Sequence, residues 1–488
     1  MPDPIYSDPS VQTPSGPAAT TPPQEVYQTP SPEAVPPPLP PSTSEGPIVP
    51  PPPPKKSQKK PLMIIGAAIL GFLLLFLLIR AFTSQKGEPS GEITWWGLWE
   101  DEATVAPLIA EYQQANPKVK INYVKQSQQD YRERLTNALA KGTGPDIFRF
   151  HNSWVPMFKD DLDVLPSSVI SAAEYTQSFY PVAASDLTYG AGLVGIPLMY
   201  DGLALFINED IFAAAGKTPP TNWDDLRSLA KEFTVKDEEE NITQAGVSLG
   251  RTENVDHWPE ILGLMMLQNG VRLSSPTGKL AEDAILFFTI FSTTDGVWNE
   301  TLPPSTQAFA GGKLAMYLAP SWRAFEIRQQ NPNLNFRTVK VPQLAKVSQN
   351  EPDVTYASYW VEGVWSRSTN KTEVWNFLKF LSSTESLQKL YLGATKTRLF
   401  GEPYSRLEMA PLLADDPIIS GVVAGAPDAQ SWYLQSRTFD GPTGINSQIN
   451  KYFEDAINAV NSRTQVTKAL ETAAAGVNQV LSQYGLVR

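Results

Sequence analysis

Hydrophobic and polar positions change period several times along this chain, and each change marks an element. Ile93 to Trp96 is a short apolar run of the kind a buried strand makes. Val105, Leu108, Ile109 and Tyr112 then recur at i, i+3, i+4, i+7, the apolar stripe of a helix. Val119, Ile121 and Tyr123 alternate with Lys118, Lys120 and Asn122, which predicts a half-buried strand. Tyr131, Leu135, Ala138 and Leu139 predict a second helix; the breaker Gly142-Thr143-Gly144-Pro145 ends it, and Ile147 to Phe150 follows as a strand. This β-α-β-α-β order implies parallel strands, right-handed crossovers, and ligand-bearing loops at the strands' carboxyl ends.

The alternation continues downstream, so the expected class is α/β. Gly195 to Asn208 reads as strand in two pieces, and Asn222, three residues before Asp225, resembles a capping box opening a helix around Leu226 and Leu229. Trp375 to Leu381 and Ile449 to Val460 have helical spacing, whereas the run Asp237 to Glu240, with nothing basic assigned to it, is a solvated loop.

A different pattern occupies the N-terminal part. Leu62 to Ile79 carries no charged or strongly polar side chain and spans roughly 27 Å at helical rise. With Ala81, Phe82 and a snorkelling Arg80 it matches a hydrocarbon core roughly 30 Å thick, so residues 61–82 are read as one transmembrane helix. A cleaved signal peptide would need a basic region 60 residues long, and no small-x-small site follows Ile79. Lys55, Lys56, Lys59 and Lys60 precede the span, against Arg80 and Lys86 at its far end, which places the N-terminus in the cytoplasm and the bulk of the chain outside the cell membrane. Of 44 prolines, 21 lie in the first 61 residues. Residues 1–60 therefore read as a disordered, proline-rich cytoplasmic tail with polyproline II character, either a passive tether or a docking segment for proline-recognising domains. Residues 83–90 are a polar linker.

Composition narrows the chemistry. The absence of cysteine removes disulfides, thiolate metal sites, thiol catalysis and a lipid anchor on Cys, and two histidines leave little for a metal site or a His base; no metal and no cofactor is implied. The net charge of −12 argues against nucleic acid as a partner. Residues 1–82 hold 5 basic and 5 acidic groups, so the whole imbalance belongs to the exterior. Phosphate-cradling, dinucleotide, nucleophile-elbow and zinc-protease motifs are absent, and adjacent carboxylates such as Asp160 and Asp161 are weak evidence for acid–base work. All twelve tryptophans follow residue 90, and Trp95, Trp96, Trp99, Trp258, Trp322 and Trp360 are placed where strands hand over to loops. Indoles offer flat apolar faces with one donor, which suits a sugar ring; core packing is the alternative for each, and is assigned to Trp223, Trp365 and Trp375.

Four stretches carry a resemblance: Gly142 to Phe150 (GTGPDIFRF), Gly195 to Leu226 (GIPLMYDGLALFINEDIFAAAGKTPPTNWDDL), Ala308 to Trp322 (AFAGGKLAMYLAPSW), and the helical region Thr443 to Leu470. In this order they are similar to the extracellular solute-binding proteins of ABC importers, the sugar-binding group that includes maltose-binding protein. The resemblance implies a two-lobed periplasmic-binding-protein-like fold across 91–488, with lobe 1 about 91–199 and 364–404 and lobe 2 about 204–358 and 410–488. Carried over residue by residue, ligand contacts fall at Trp99 and Glu100 after the first strand, at Phe150, Asn152 and Ser153, at the acidic crossover residue Asp201, at Trp258, at Trp322, and at Tyr359 and Trp360 in the second crossover. Asp201 has a second reading as a hinge carboxylate bonded to backbone amides, and His257 reads equally as ligand contact or structural histidine. The sequence departs from the family's pattern at Ala319-Pro320-Ser321-Trp322, read as a turn one residue longer than usual, and at Gly393 to Arg398, which lacks the customary proline. The implied activity is non-enzymatic: a sugar or oligosaccharide bound between lobes and delivered to ABC permease subunits. A peptide, polyamine or other cationic solute on the same fold, and an anchored glycoside hydrolase, are the alternatives.

Overall fold

The computed structural model describes residues 91–487 except 191, 347 and 349. The tail, the span at 61–82 and the linker to residue 90 lie outside the described residues. Among the described residues no helix is long and apolar enough to cross a membrane.

Two sheets organise the fold. The first has the order Trp360–Val364, Ile147–His151, Gly91–Gly97, Val119–Lys125. The last three strands are parallel, and helices Glu102–Ala115 and Tyr131–Ala140 connect them, as the sequence period requires. Trp360–Val364 joins antiparallel to Ile147–His151. Val119, Ile121 and Tyr123 are buried while Lys120 and Asn122 face solvent, as a strand covered on one face must be. The central strand Ile147–His151 is covered on both faces and buried throughout, including Arg149.

The second sheet runs Phe336–Val339, Leu203–Asn208, Leu314–Pro320, Ile242–Val247, Val235–Lys236. Leu314–Pro320 is parallel to Ile242–Val247 and antiparallel to Leu203–Asn208. The chain crosses between the sheets in neighbouring segments: Ile196 bridges Glu362, and Gly202 bridges Ala357. Gly202 is required there, because a Cβ would stand 2.5 Å from the Tyr356 carbonyl oxygen. A third segment leans on the first, Tyr200 N donating to the Pro403 carbonyl and Ser405 Oγ to the Pro197 carbonyl.

Several local expectations need correction. Only Leu203–Asn208 is strand in the stretch 195–208; Ile196 and Gly202 make single bridges, Pro197 has no N–H to give, and the Tyr200 amide bonds the third crossover, so no ladder forms over 196–202. Ala319-Pro320 is not a turn: the strand continues to Pro320, which pairs with Leu203, and the chain turns only at Ser321. Trp95 and Trp96 stand inside the first strand, Trp95 fully buried. The Asp237–Glu240 loop is exposed, but Lys236 is close enough to pair with Glu240. Asn222 caps its helix as read, accepting from the Asp225 amide at 2.8 Å and donating to the Asp225 carboxylate at 2.7 Å. Trp223, Trp365 and Trp375 are buried, and helices Ile445–Asn461 and Val466–Gln483 form the C-terminal region.

Candidate functional site

The strand directions bring one group of residues together at the first sheet. Trp99 lies just past the carboxyl end of Gly91–Gly97, and His151 ends its strand. Trp360 pairs directly with His151, so the antiparallel strand starts at that same edge. The Trp360 ring meets Trp99 edge-on at 5.4 Å, His151 at 5.2 Å and the buried Trp154 at 5.4 Å. Trp99 and Trp360 are each half-buried, leaving indole surface accessible over a packed aromatic floor.

At the second sheet the matching edge is where Leu314–Pro320 ends and Leu203–Asn208 begins. Trp322 stands there, also half-buried, with the Arg323 guanidinium 4.5 Å from its ring centre and the His257 ring edge-on at 5.6 Å. Arg323 is itself held: its Nε donates to His257 Nε2 at 2.9 Å, its Nη1 to Glu326 at 2.5 Å, and Asp256 lies 3.4 Å from its Nη2. His257 Nε2 is therefore an acceptor and the buried ring is neutral, its pKa lowered chiefly by burial. Ser436 Oγ lies 3.1 Å from the other ring nitrogen and donates to Glu260 at 2.9 Å.

Between the sheets the crossovers are fastened by buried polar side chains. Asp201 Oδ1 accepts from the Gly202 amide at 2.7 Å and the Ser321 amide at 3.0 Å, and its Oδ2 from Ser321 Oγ at 2.8 Å. This is the geometry of the hinge reading, and it ties the first crossover to the residue preceding Trp322. Burial pushes the Asp201 carboxyl up to about 7, against the downward pull of those three hydrogen bonds. Asp186 accepts from Asn152 Nδ2 at 2.9 Å, Tyr359 Oη at 2.9 Å and Ser431 Oγ at 2.7 Å, and burial raises its carboxyl to about 6. Asn152 Oδ1 in turn accepts from the Tyr359 amide. His151 Nδ1 accepts from the Ser153 amide and its Nε2 lies 3.2 Å from Ser358 Oγ; burial lowers its pKa to about 3, so it is a neutral fastener.

Of the ten residues implied by resemblance, Trp99, Trp322 and Trp360 thus retain accessible surface. Asn152, Ser153, Asp201 and Tyr359 are buried among the crossover hydrogen bonds, Ser153 Oγ reaching Asn446 at 2.9 Å. Glu100 is buried and holds Arg149 Nη1 at 2.5 Å; Phe150 and Trp258 are packed in the core.

A profile of the bacterial extracellular solute-binding protein family matches residues 96–388, more than half of the chain. The chain belongs to that family. This solute-binding protein is 21% identical over 347 residues to the maltotriose-binding protein of Pyrococcus abyssi, covering 68% of this chain and 71% of the relative. Its fold superposes on the cyclic alpha-maltosyl-1,6-maltose binding protein from Arthrobacter globiformis with a TM-score of 0.66 at 18% identity, over 81% of this chain and 100% of the other. A cyclo/maltodextrin-binding protein complexed with maltotetraose gives 0.64 at 17% identity, over 81% and 98%.

Several residues that shape this candidate site were not singled out from sequence. Arg149 is signalled only by being a charge within an otherwise buried strand, and Glu362 by the same anomaly in the partner strand. Asp186 and Ser431, 245 positions apart and bonded at 2.7 Å, give no local sign at all.

Proposed function

We propose that this solute-binding protein is a membrane-anchored extracellular receptor that binds a carbohydrate between two lobes and delivers it to ABC permease subunits, the anchor being residues 61–82. The observation carrying the reading is the set of half-buried indoles at strand ends, Trp99 and Trp360 at one sheet and Trp322 at the other. Each offers a flat apolar face to the CH face of a sugar ring; Trp360 is braced by buried Trp154 and Trp322 by buried Arg323, so little side-chain entropy is lost on binding there. Family membership and the sugar ligands named for its relatives support a carbohydrate over a peptide or polyamine, for which the acidic exterior is the only argument.

Contacts made to both lobes exist only when the lobes approach, so ligand shifts an open–closed equilibrium by no more than its differential affinity for the two states. The closed form then presents one composite face to a permease, and the proposed anchor at 61–82 keeps that partner at high effective concentration. Tryptophan fluorescence of the full-length protein, titrated with maltotriose, a cationic peptide and spermidine, tests the reading. Saturable quenching or enhancement is expected with the glycan alone. Saturation by peptide or spermidine instead would transfer the site to the cationic-solute reading, and release of reducing ends from the glycan would make the protein a hydrolase.

A further inference from the structure

Arg437, Phe439 and Gly441 alternate along one loop with φ of 57°, 55° and 68°, all in the left-handed region. A phenylalanine there is disfavoured by its Cβ, and such backbone persists only where its surroundings over-determine it. They do so at both ends. Before the loop, Ser436 N and Oγ donate to Glu260, with His257 3.1 Å from the same hydroxyl. After Phe439, buried Asp440 accepts from the Asn446 amide at 2.7 Å and Ser447 Oγ at 2.6 Å, fixing the start of helix Ile445–Asn461. A Cβ at Gly444 would fall 2.1 Å from the Asp440 carboxylate, so the turn accepts no larger residue. Thr443 is held from the other side by Arg132 at 2.7 Å.

Within this clamp Thr438 and Asp440 point inward and are buried, which forces Phe439 outward. The residue remains 37% exposed, and its ring is tilted against Trp99 at a centroid distance of 6.3 Å, on the indole that also meets Trp360. An exposed ring on a strained backbone is unfavourable twice over in the free protein, and the exposure is relieved if something apolar covers the ring.

We propose that Phe439 is a ligand-stacking residue, a third aromatic wall beside Trp99 and Trp360 that takes the CH face of a pyranose ring, and that the loop from Arg437 to Gly441 is shaped to present it. The assignment rests on the carbohydrate reading above. It is tested by calorimetric titration of the full-length protein and of Phe439→Ala, Phe439→Gly and Phe439→Trp with maltotriose, maltotetraose and mannobiose, alongside their melting temperatures. For whichever glycan binds wild type, Phe439→Ala and Phe439→Gly should bind about tenfold more weakly and Phe439→Trp should retain affinity. Phe439→Gly should melt about 1 °C or more above Phe439→Ala, since both lack the ring but only glycine accepts the left-handed backbone freely. Unchanged affinity in Phe439→Ala would overturn the assignment while leaving the carbohydrate reading intact, and a Phe439→Gly melting below Phe439→Ala would remove the strain on which the presentation depends. Failure of wild type to bind any of the glycans would overturn the carbohydrate reading and this assignment with it.

Discussion

Asp201 is a residue of the candidate site whose hydrogen bonds are spent inside the protein. It gives both carboxylate oxygens to donors inside the protein, two of them on Ser321, and Ser321 precedes Trp322. The residue is thus better placed to aim the indole than to receive a hydroxyl. Its protonation has a measurable consequence. The fold raises its carboxyl from 3.8 to about 7, so between those values the folded chain keeps a proton the unfolded chain has released. Its contribution to stability accordingly falls as pH rises from about 4 to about 7 and levels off above. Asparagine cannot ionise, and it can still accept both amides and donate to Ser321 Oγ. Urea denaturation should therefore show Asp201→Asn gaining on wild type across that window, on the order of 4 kcal/mol in all; a difference constant with pH would contradict the assigned ionisation. The three accessible indoles were legible in the sequence as tryptophans where strands hand over to loops, and the acidic crossover position through the resemblance carried by Gly195 to Leu226. That Asp201 would bond Ser321, 120 positions away, was not, since pairing of that kind is set by how the two sheets meet.

Among the elements, the central strand Ile147–His151 does most to position the first half of the site. Its buried Arg149 donates from Nε to Glu362 at 2.9 Å and from Nη1 to Glu100 at 2.5 Å, linking the edge strand and the loop that carries Trp99. Two carboxylates are thereby kept out of water beside a single guanidinium, and burial raises the Glu362 pKa against Arg149's pull. Replacing Arg149 by Met leaves both acids buried without a cation. A loss of roughly 3–5 kcal/mol is expected from the urea midpoint, as for other buried pairs broken on one side. A change below about 1 kcal/mol would mean that the pair is not held as described. The strand itself, its two helices and their parallel order were legible from apolar period, because three of the four residues Ile147 to Phe150 are apolar and the connecting helices each show one stripe. The segment 196–202 was misread as strand because its composition is that of a strand while its donors are spent elsewhere, Tyr200 on Pro403 and Pro197 having none.

For the whole molecule, two sheets present their matching strand ends to a shared set of crossovers, and the accessible aromatic surface is divided between them. The family and the two-lobed α/β class were legible from ordered motifs spread over the chain, whereas the 436–441 loop was not, because nothing in Ser-Arg-Thr-Phe-Asp-Gly announces alternating left-handed backbone. In the proposed receptor one carbohydrate is gripped from both sheets at once. Calorimetric titration of a glycan such as maltotriose into wild type, Trp99→Ala and Trp322→Ala tests it directly. One-to-one binding to wild type is predicted, with each single substitution lowering affinity at least about tenfold while melting temperature changes little, since both indoles are only half-buried. Affinity that depends on one of the two tryptophans alone, or a collapse in stability when either is removed, would contradict it.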